Sequence, residues 1–133
     1  MLYPIILGLT GKAGSGKDTA AQYIIDAGYP GARVAFADSL KFFASQLFDR
    51  DLTLFYDPQQ KERVDPQLGK TYRQLLLEFG TKMREIDSAI WVSWADRDVQ
   101  TLLHRNRGMV FTDVRYTNEG TYIRGLGGLI VEI

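Results

Sequence analysis

Gly11-Lys12-Ala13-Gly14-Ser15-Gly16-Lys17 sets glycines and a lysine at the spacing G-x-x-x-x-G-K, with Asp18 where serine or threonine more often follows. Glycines let backbone N–H groups converge on an anion without a Cβ in the way. A helix opening at Lys17 adds its partial positive charge, and the Lys17 ammonium is a mobile cation for β- and γ-phosphates. Gly11, Ala13, Gly14, Ser15, Gly16, Lys17, Asp18 and Thr19 are therefore expected to cradle a triphosphate. The hydroxyl usual at position 18 ligates Mg²⁺; a carboxylate can do so directly or through water, and Thr19 then offers a hydroxyl to the α-phosphate. Asp113 closes the apolar run Met109-Val110-Phe111-Thr112, where a carboxylate beside a phosphate loop either holds Mg²⁺ through water or orients the attacking group. Capping a helix or bridging to a base is its plainer alternative. Arg115, two residues on, brings a planar guanidinium suited to a phosphoryl oxygen; its plainer alternative is a pair with Glu119.

These residues need a scaffold that puts strand ends and a helix start together. Ile5 to Leu9 is a short apolar run ending in the glycine-rich turn, as in a strand buried on both faces. Ala20, Ala21, Ile24 and Ile25 follow at helical spacing, with Gly28 and Pro30 as a stop. Val34-Ala35-Phe36 reads as a second strand. Leu40, Phe43, Ala44 and Leu47 then mark a helix that Asp38 or Ser39 can cap. From Asp49 to Lys70, nine of 22 residues are charged and Pro58, Pro66 and Gly69 break any period, which predicts a surface loop with at most one helical turn. Helices are expected over Tyr72 to Glu85, with Gly80 as a kink, over Ser88 to His104, and around Asn118 to Arg124. Met109 to Thr112 and Leu129 to Ile133 supply the third and fourth strands. Strands alternating with helices predict an α/β fold with a parallel sheet and helices on both faces.

The chain has 133 residues, the length of one domain, so residues 1–133 are expected to form a single unit. Sixteen basic residues balance sixteen acidic ones, which removes the field a nucleic-acid binder uses against phosphates. The absence of cysteine excludes disulfides and thiolate chemistry, and a single histidine leaves little for His-based metal sites. Met1 to Leu9 lacks a basic start and falls far short of the roughly 20 apolar residues that span a bilayer, so neither leader nor membrane anchor is expected and a cytoplasmic home fits.

Leu9-Thr10-Gly11 through Lys17-Asp18-Thr19, Phe36-Ala37-Asp38 with Lys41, Gly80-Thr81 with Arg84, and Asp113-Val114-Arg115 with Asn118-Glu119 together resemble the bacteriophage deoxynucleoside monophosphate kinases over essentially the whole chain. The resemblance implies a P-loop NTPase fold with strand order 2-3-1-4, in the host cytoplasm if phage-encoded. It also implies transfer of the ATP γ-phosphoryl group, with Mg²⁺ at Asp18 and Asp113, to a deoxynucleoside monophosphate. Lys17, Asp113 and Arg115 become the catalytic candidates. Lys41, Arg73 and Arg84 become candidates for the acceptor's phosphate, and Asp38 for a polar contact nearby. Taken alone, Lys41 reads equally as a solvated charge, and Arg73 and Arg84 as partners of Glu78, Glu85 or Asp87. Trp91 and Trp94, three apart, are expected in a helix core, with base stacking as the minority role for Trp91. Such kinases continue past the fourth strand into a lid and a further strand, so a chain shortened at its C-terminus is expected, with that strand an exposed edge that a homodimer could cover. Two rival functions stand beside the kinase: an ATP-binding module without turnover, and a kinase for another phosphorylated small molecule, since the Gly-Lys-Asp loop also resembles that of animal phosphomevalonate kinases.

Overall fold

The computed structural model describes residues 4–12, 14–29 and 31–133. Four strands, β1 (Ile6–Thr10), β2 (Gly31–Val34), β3 (Gly108–Phe111) and β4 (Leu129–Glu132), form one parallel sheet in the order β2-β3-β1-β4. The expected order 2-3-1-4 is thus the observed one. Among the described residues, six α-helices connect or extend the strands: α1 (Lys17–Asp26), α2 (Phe36–Phe48), α3 (Thr53–Tyr56), α4 (Tyr72–Ile86), α5 (Ile90–His104) and α6 (Thr117–Gly125). The chain builds two compact units, one of Met1–Phe36 with Val92–Ile133 and one of Ala37–Trp91.

In the first unit the pleat of the sheet sends alternate residues to opposite faces. Ile6, Met109 and Phe111 point to a core shared with Val99 of α5 and Ile123 of α6, while Leu9 and Val110 meet Ala21 of α1. Helices therefore cover both faces. Phe111 stacks on Phe36 at 5.2 Å between centroids, and Tyr122 meets both rings edge-on. The Tyr122 hydroxyl donates to Asp96 at 2.5 Å, and burial, followed by this bond to a carboxylate, pushes the phenol well above its ordinary range. β4 pairs with β1, and its Leu129 and Val131 side chains are exposed.

The second strand lies earlier than predicted, at Gly31–Val34, and Phe36 already begins α2. Neither Asp38 nor Ser39 is the cap. The carboxylate of Asp113 accepts the Phe36 N–H at 2.8 Å, so α2 is capped from the end of β3, which no local pattern could reveal. Pro30, read as part of a helix stop, lies outside the described residues; Gly28, at φ 89°, ends α1 in the left-handed conformation that favours glycine.

The second unit packs Ala44 of α2, Phe55 of α3 and Tyr72, Leu75 and Leu76 of α4 into one core. The segment expected as a surface loop is more ordered than its charge suggests, holding α3, a single 3₁₀ turn at Gln60–Glu62 and an antiparallel bridge between Val64 and Thr71. Phe55 is fully buried, and Asp65, 2% exposed, organises the turn that follows. Gly80 lies inside the continuous helix α4, where a Cβ would sit 3.2 Å from Leu40 Cδ2, so close packing against α2 accounts for it and the expected kink does not.

Candidate nucleotide-binding site and its surroundings

Residues 11–18 join the carboxyl end of β1 to the first turn of α1, the end of a parallel sheet where ligands bind. Gly14 (φ 76°) and Gly16 (φ 93°) adopt left-handed backbone, and at both positions the space a Cβ would take is open for 4 Å. A bound anion can approach the backbone there. At Gly11 the reverse holds: a Cβ would meet the Ile133 carbonyl oxygen at 2.7 Å and Ser15 Oγ at 2.8 Å. Lys17 folds back over the loop, donating from Nζ to the Gly11 carbonyl at 2.7 Å and the Lys12 carbonyl at 3.5 Å. Ser15 closes the turn through its N–H to the Lys12 carbonyl at 3.0 Å, and among the described residues its buried hydroxyl has no hydrogen-bond partner. Ala13 lies outside the described residues. Thr19 is exposed in the first turn of α1.

Asp18, exposed, is ion-paired with Arg33 of β2. Sequence reasoning missed Arg33; an acid where a hydroxyl is usual was the signal that a cation should be sought nearby. Asp113 stands beside the loop because β3 neighbours β1, and the Val114 N–H donates to the Leu9 carbonyl at 3.2 Å. The helix-capping role weighed for Asp113 is present, through Phe36. For Arg115, the pairing with Glu119 takes another form: the buried Glu119 carboxylate accepts the backbone N–H of Arg115 at 2.8 Å and of Tyr116 at 3.0 Å, starting α6. The Arg115 side chain is exposed and makes no ion pair among the described residues. No group of three or more His, Asp or Glu residues suited to a metal occurs among the described residues. Asp18 and Asp113 are each hard oxygen donors of the kind Mg²⁺ takes, one or two carboxylates beside several waters, and in this structure they engage Arg33 and the Phe36 N–H.

The acceptor candidates all lie in the second unit. Asp38 and Lys41 share one face of α2, and both engage Tyr56: its hydroxyl donates to Asp38 Oδ1 at 2.6 Å, and Lys41 Nζ lies 4.2 Å from its ring centroid. Arg73 pairs with Glu62, none of the three acids considered for it. Arg84, eleven residues on, stands about three turns along the same face of α4, roughly 16 Å away at 1.5 Å per residue. Trp91 is 6% exposed against Phe79, with ring centroids 6.1 Å apart, and its indole N–H has no hydrogen-bond partner among the described residues.

The residues that hold this unit together had no signal in the sequence beyond the aromatic pair Phe55-Tyr56 inside a charged stretch. Asp65 accepts from Arg50 Nε at 2.6 Å, the Tyr72 hydroxyl at 2.7 Å, and the Gln67 and Leu68 N–H groups at 2.9 and 3.0 Å. The Arg50 bond first, then that of Tyr72, holds the Asp65 carboxyl well below its ordinary value of 3.8. The same pair raises Arg50, and Tyr72 is raised by burial first and by its bond to Asp65 second.

No protein-family model matches the chain. A protein of Acanthamoeba polyphaga mimivirus named "Putative deoxynucleotide monophosphate kinase" is 33% identical, over 97% of this chain and 73% of that protein. An uncharacterized protein, ORF76, of Ictalurid herpesvirus 1 is 30% identical over 92% of this chain, which spans 44% of its length. The crystal structure of TT1252 from Thermus thermophilus superposes at a TM-score of 0.49 with 25% identity, covering 98% of this chain and 66% of that one. No helix among the described residues is long and apolar enough to cross a membrane. These sequence relatives come from a mimivirus and a herpesvirus, and with a third of its residues identical to the mimivirus protein over most of both, the chain belongs to the nucleotide kinase family.

Proposed function

We propose that the protein transfers the γ-phosphoryl group of ATP to a deoxynucleoside 5′-monophosphate, giving the diphosphate and ADP. The observation that carries this reading is the loop at Gly11–Lys17, whose open left-handed glycines and folded-back ammonium suit a polyphosphate, beside a strand-end carboxylate at Asp113. The loop amides and Lys17 bind the β- and γ-phosphates, with Lys17 exchanging two carbonyl partners for phosphate oxygens. Asp18 and Asp113 would hold Mg²⁺, which when bound screens the charge between β- and γ-oxygens. Arg115 stabilises charge on the migrating group. The acceptor's phosphate, with a second pKa near 6, is already largely dianionic at neutral pH, so no strong base is required and Asp113 need only orient. Asp38, Lys41, Arg73 and Arg84 bind the acceptor, while Trp91, buried against Phe79, fits the packing role better than base stacking.

The test is ADP release from Mg-ATP with and without dAMP, dCMP, dGMP or dTMP, beside Lys17→Ala. Acceptor-dependent turnover that disappears in the variant supports the kinase and names its substrate. The Asp18–Arg33 pair is the observation that favours a second reading, a nucleotide-binding module without turnover, because it engages a carboxylate the reaction needs for metal. ATP binding with no acceptor-stimulated ADP release selects that reading.

A further inference from the structure

We infer that Tyr56 is a positioning residue for the acceptor monophosphate, fixing Asp38 and Lys41 at once; the inference rests on the kinase reading above. One side chain makes two unlike contacts with two residues of the same helix face. Its hydroxyl donates to Asp38 Oδ1 at 2.6 Å, and its ring lies under the Lys41 ammonium at 4.2 Å from the centroid. A lysine stem with four rotatable bonds and a surface aspartate sample many rotamers, and a ligand that needs both in one arrangement bears that ordering cost on binding. The hydroxyl selects one Asp38 rotamer. The ring face holds the ammonium by its quadrupole, which fixes where the Lys41 charge lies on that face of α2. Preorganisation of this kind lowers the acceptor's KM without touching the ATP loop.

Tyr56 lies outside the buried core of its unit. Its neighbour Phe55 is fully buried and fills the core beneath α3, whereas Tyr56 is 43% exposed at the end of that four-residue helix. The segment around it thus supplies Phe55 and Asp65 to the packing of the unit and, in Tyr56, an aromatic side chain that touches two acceptor candidates. Tyr56→Phe keeps the ring and removes the hydroxyl; Tyr56→Leu removes both contacts.

The experiment measures kcat and KM for each of dAMP, dCMP, dGMP and dTMP, KM for Mg-ATP, and thermal unfolding, for wild type and both variants. With the best acceptor, KM is expected to rise about threefold in Tyr56→Phe and about tenfold in Tyr56→Leu, as loss of one and then both contacts implies. The KM for ATP and the melting temperature are expected to hold. Acceptor KM unchanged in both variants overturns the assignment while leaving the kinase intact, and so does a rise in Tyr56→Leu that the ATP KM and a lowered melting temperature share. A wild-type protein that none of the four acceptors stimulates overturns the kinase reading itself and this one with it.

Discussion

The two units hold their functional groups by different means. In the sheet unit, the proposed phosphate loop offers backbone N–H and one lysine, and it is set by the strand before it and the helix after it. Two acids of this unit serve the backbone, Asp113 at Phe36 and Glu119 at the start of α6. In the helical unit, side chains are held by side chains: Asp65 by Arg50 and Tyr72, Asp38 by Tyr56, Arg73 by Glu62. Changes in the loop should therefore abolish activity and spare the fold, whereas changes in the helical unit should reach activity by way of stability or orientation.

The largest effect that would break this contrast is expected in the helical core. Phe55 is fully buried and meets Tyr72 edge-on at 5.5 Å, so Phe55→Ala should cost about 3–5 kcal/mol in urea unfolding. Lys17→Ala follows, with turnover reduced about 10²–10³-fold and an unchanged urea midpoint, because its contacts are two carbonyls of an exposed loop. A lowered midpoint in Lys17→Ala would show that the loop lysine also holds the fold, and the contrast would fail.

Asp65 sharpens the contrast through pH. Its folded carboxyl lies below its unfolded value, so its stabilising contribution is present above about pH 4 and is lost as pH falls through the folded value. Asp65→Asn should therefore unfold more readily at neutral pH and lose less of its remaining stability between pH 4 and pH 2 than wild type. Parallel acid-unfolding curves for the two proteins would mean that other carboxylates set the acid limb.

What could be read from the sequence follows the same division. The loop, β1 and α1 needed only glycine spacing and apolar runs, because those features are carried by consecutive residues, whereas the strand order, which pairs distant segments, came from the family likeness. Asp113 was recognisable as a strand-end carboxylate, but its service to α2 crosses 77 positions and leaves no local mark. The strand expected at Val34–Phe36 was misplaced for that reason: Phe36 is apolar and β-prone, and the cap that makes it helical comes from elsewhere. Asp65 was hidden by composition. In a stretch where nine of 22 residues carry charge, nothing distinguishes the one acid that is 2% exposed from those in solvent.

Substitutions at Glu119 separate a backbone role from a catalytic one. Glu119→Ala removes the acceptor for two N–H groups at the start of α6 and should cost about 1–2 kcal/mol, while Glu119→Gln, which keeps a carbonyl oxygen, should recover most of that loss. Turnover by Glu119→Gln close to wild type, measured as acceptor-dependent ADP release, would leave Glu119 a scaffold for Arg115. A large loss of kcat with stability intact would instead make it part of the chemistry.

The smallest effect is expected at Gly80, where two terms of similar size oppose each other. Alanine in a helix interior is favoured over glycine by about 0.8–1.0 kcal/mol. Against this, the new methyl would sit 3.2 Å from Leu40 Cδ2 and 3.5 Å from its Cδ1, so Leu40 must retreat by a few tenths of an ångström. Leu40 is only partly buried, and the crowded atoms are the mobile end of its side chain, so most of the helical gain should survive. Gly80→Ala is therefore expected to stabilise the protein by less than about 1 kcal/mol in urea unfolding. Leu40 is also the residue between Ser39 and Lys41 on α2, so the same variant reads the acceptor side. A stabilised protein with an unchanged acceptor KM means that Leu40 moves without α2. A destabilised protein with a raised acceptor KM means that Gly80 is there to let α2 lie close, and that the helical unit, like the loop, owes part of its site to a missing Cβ.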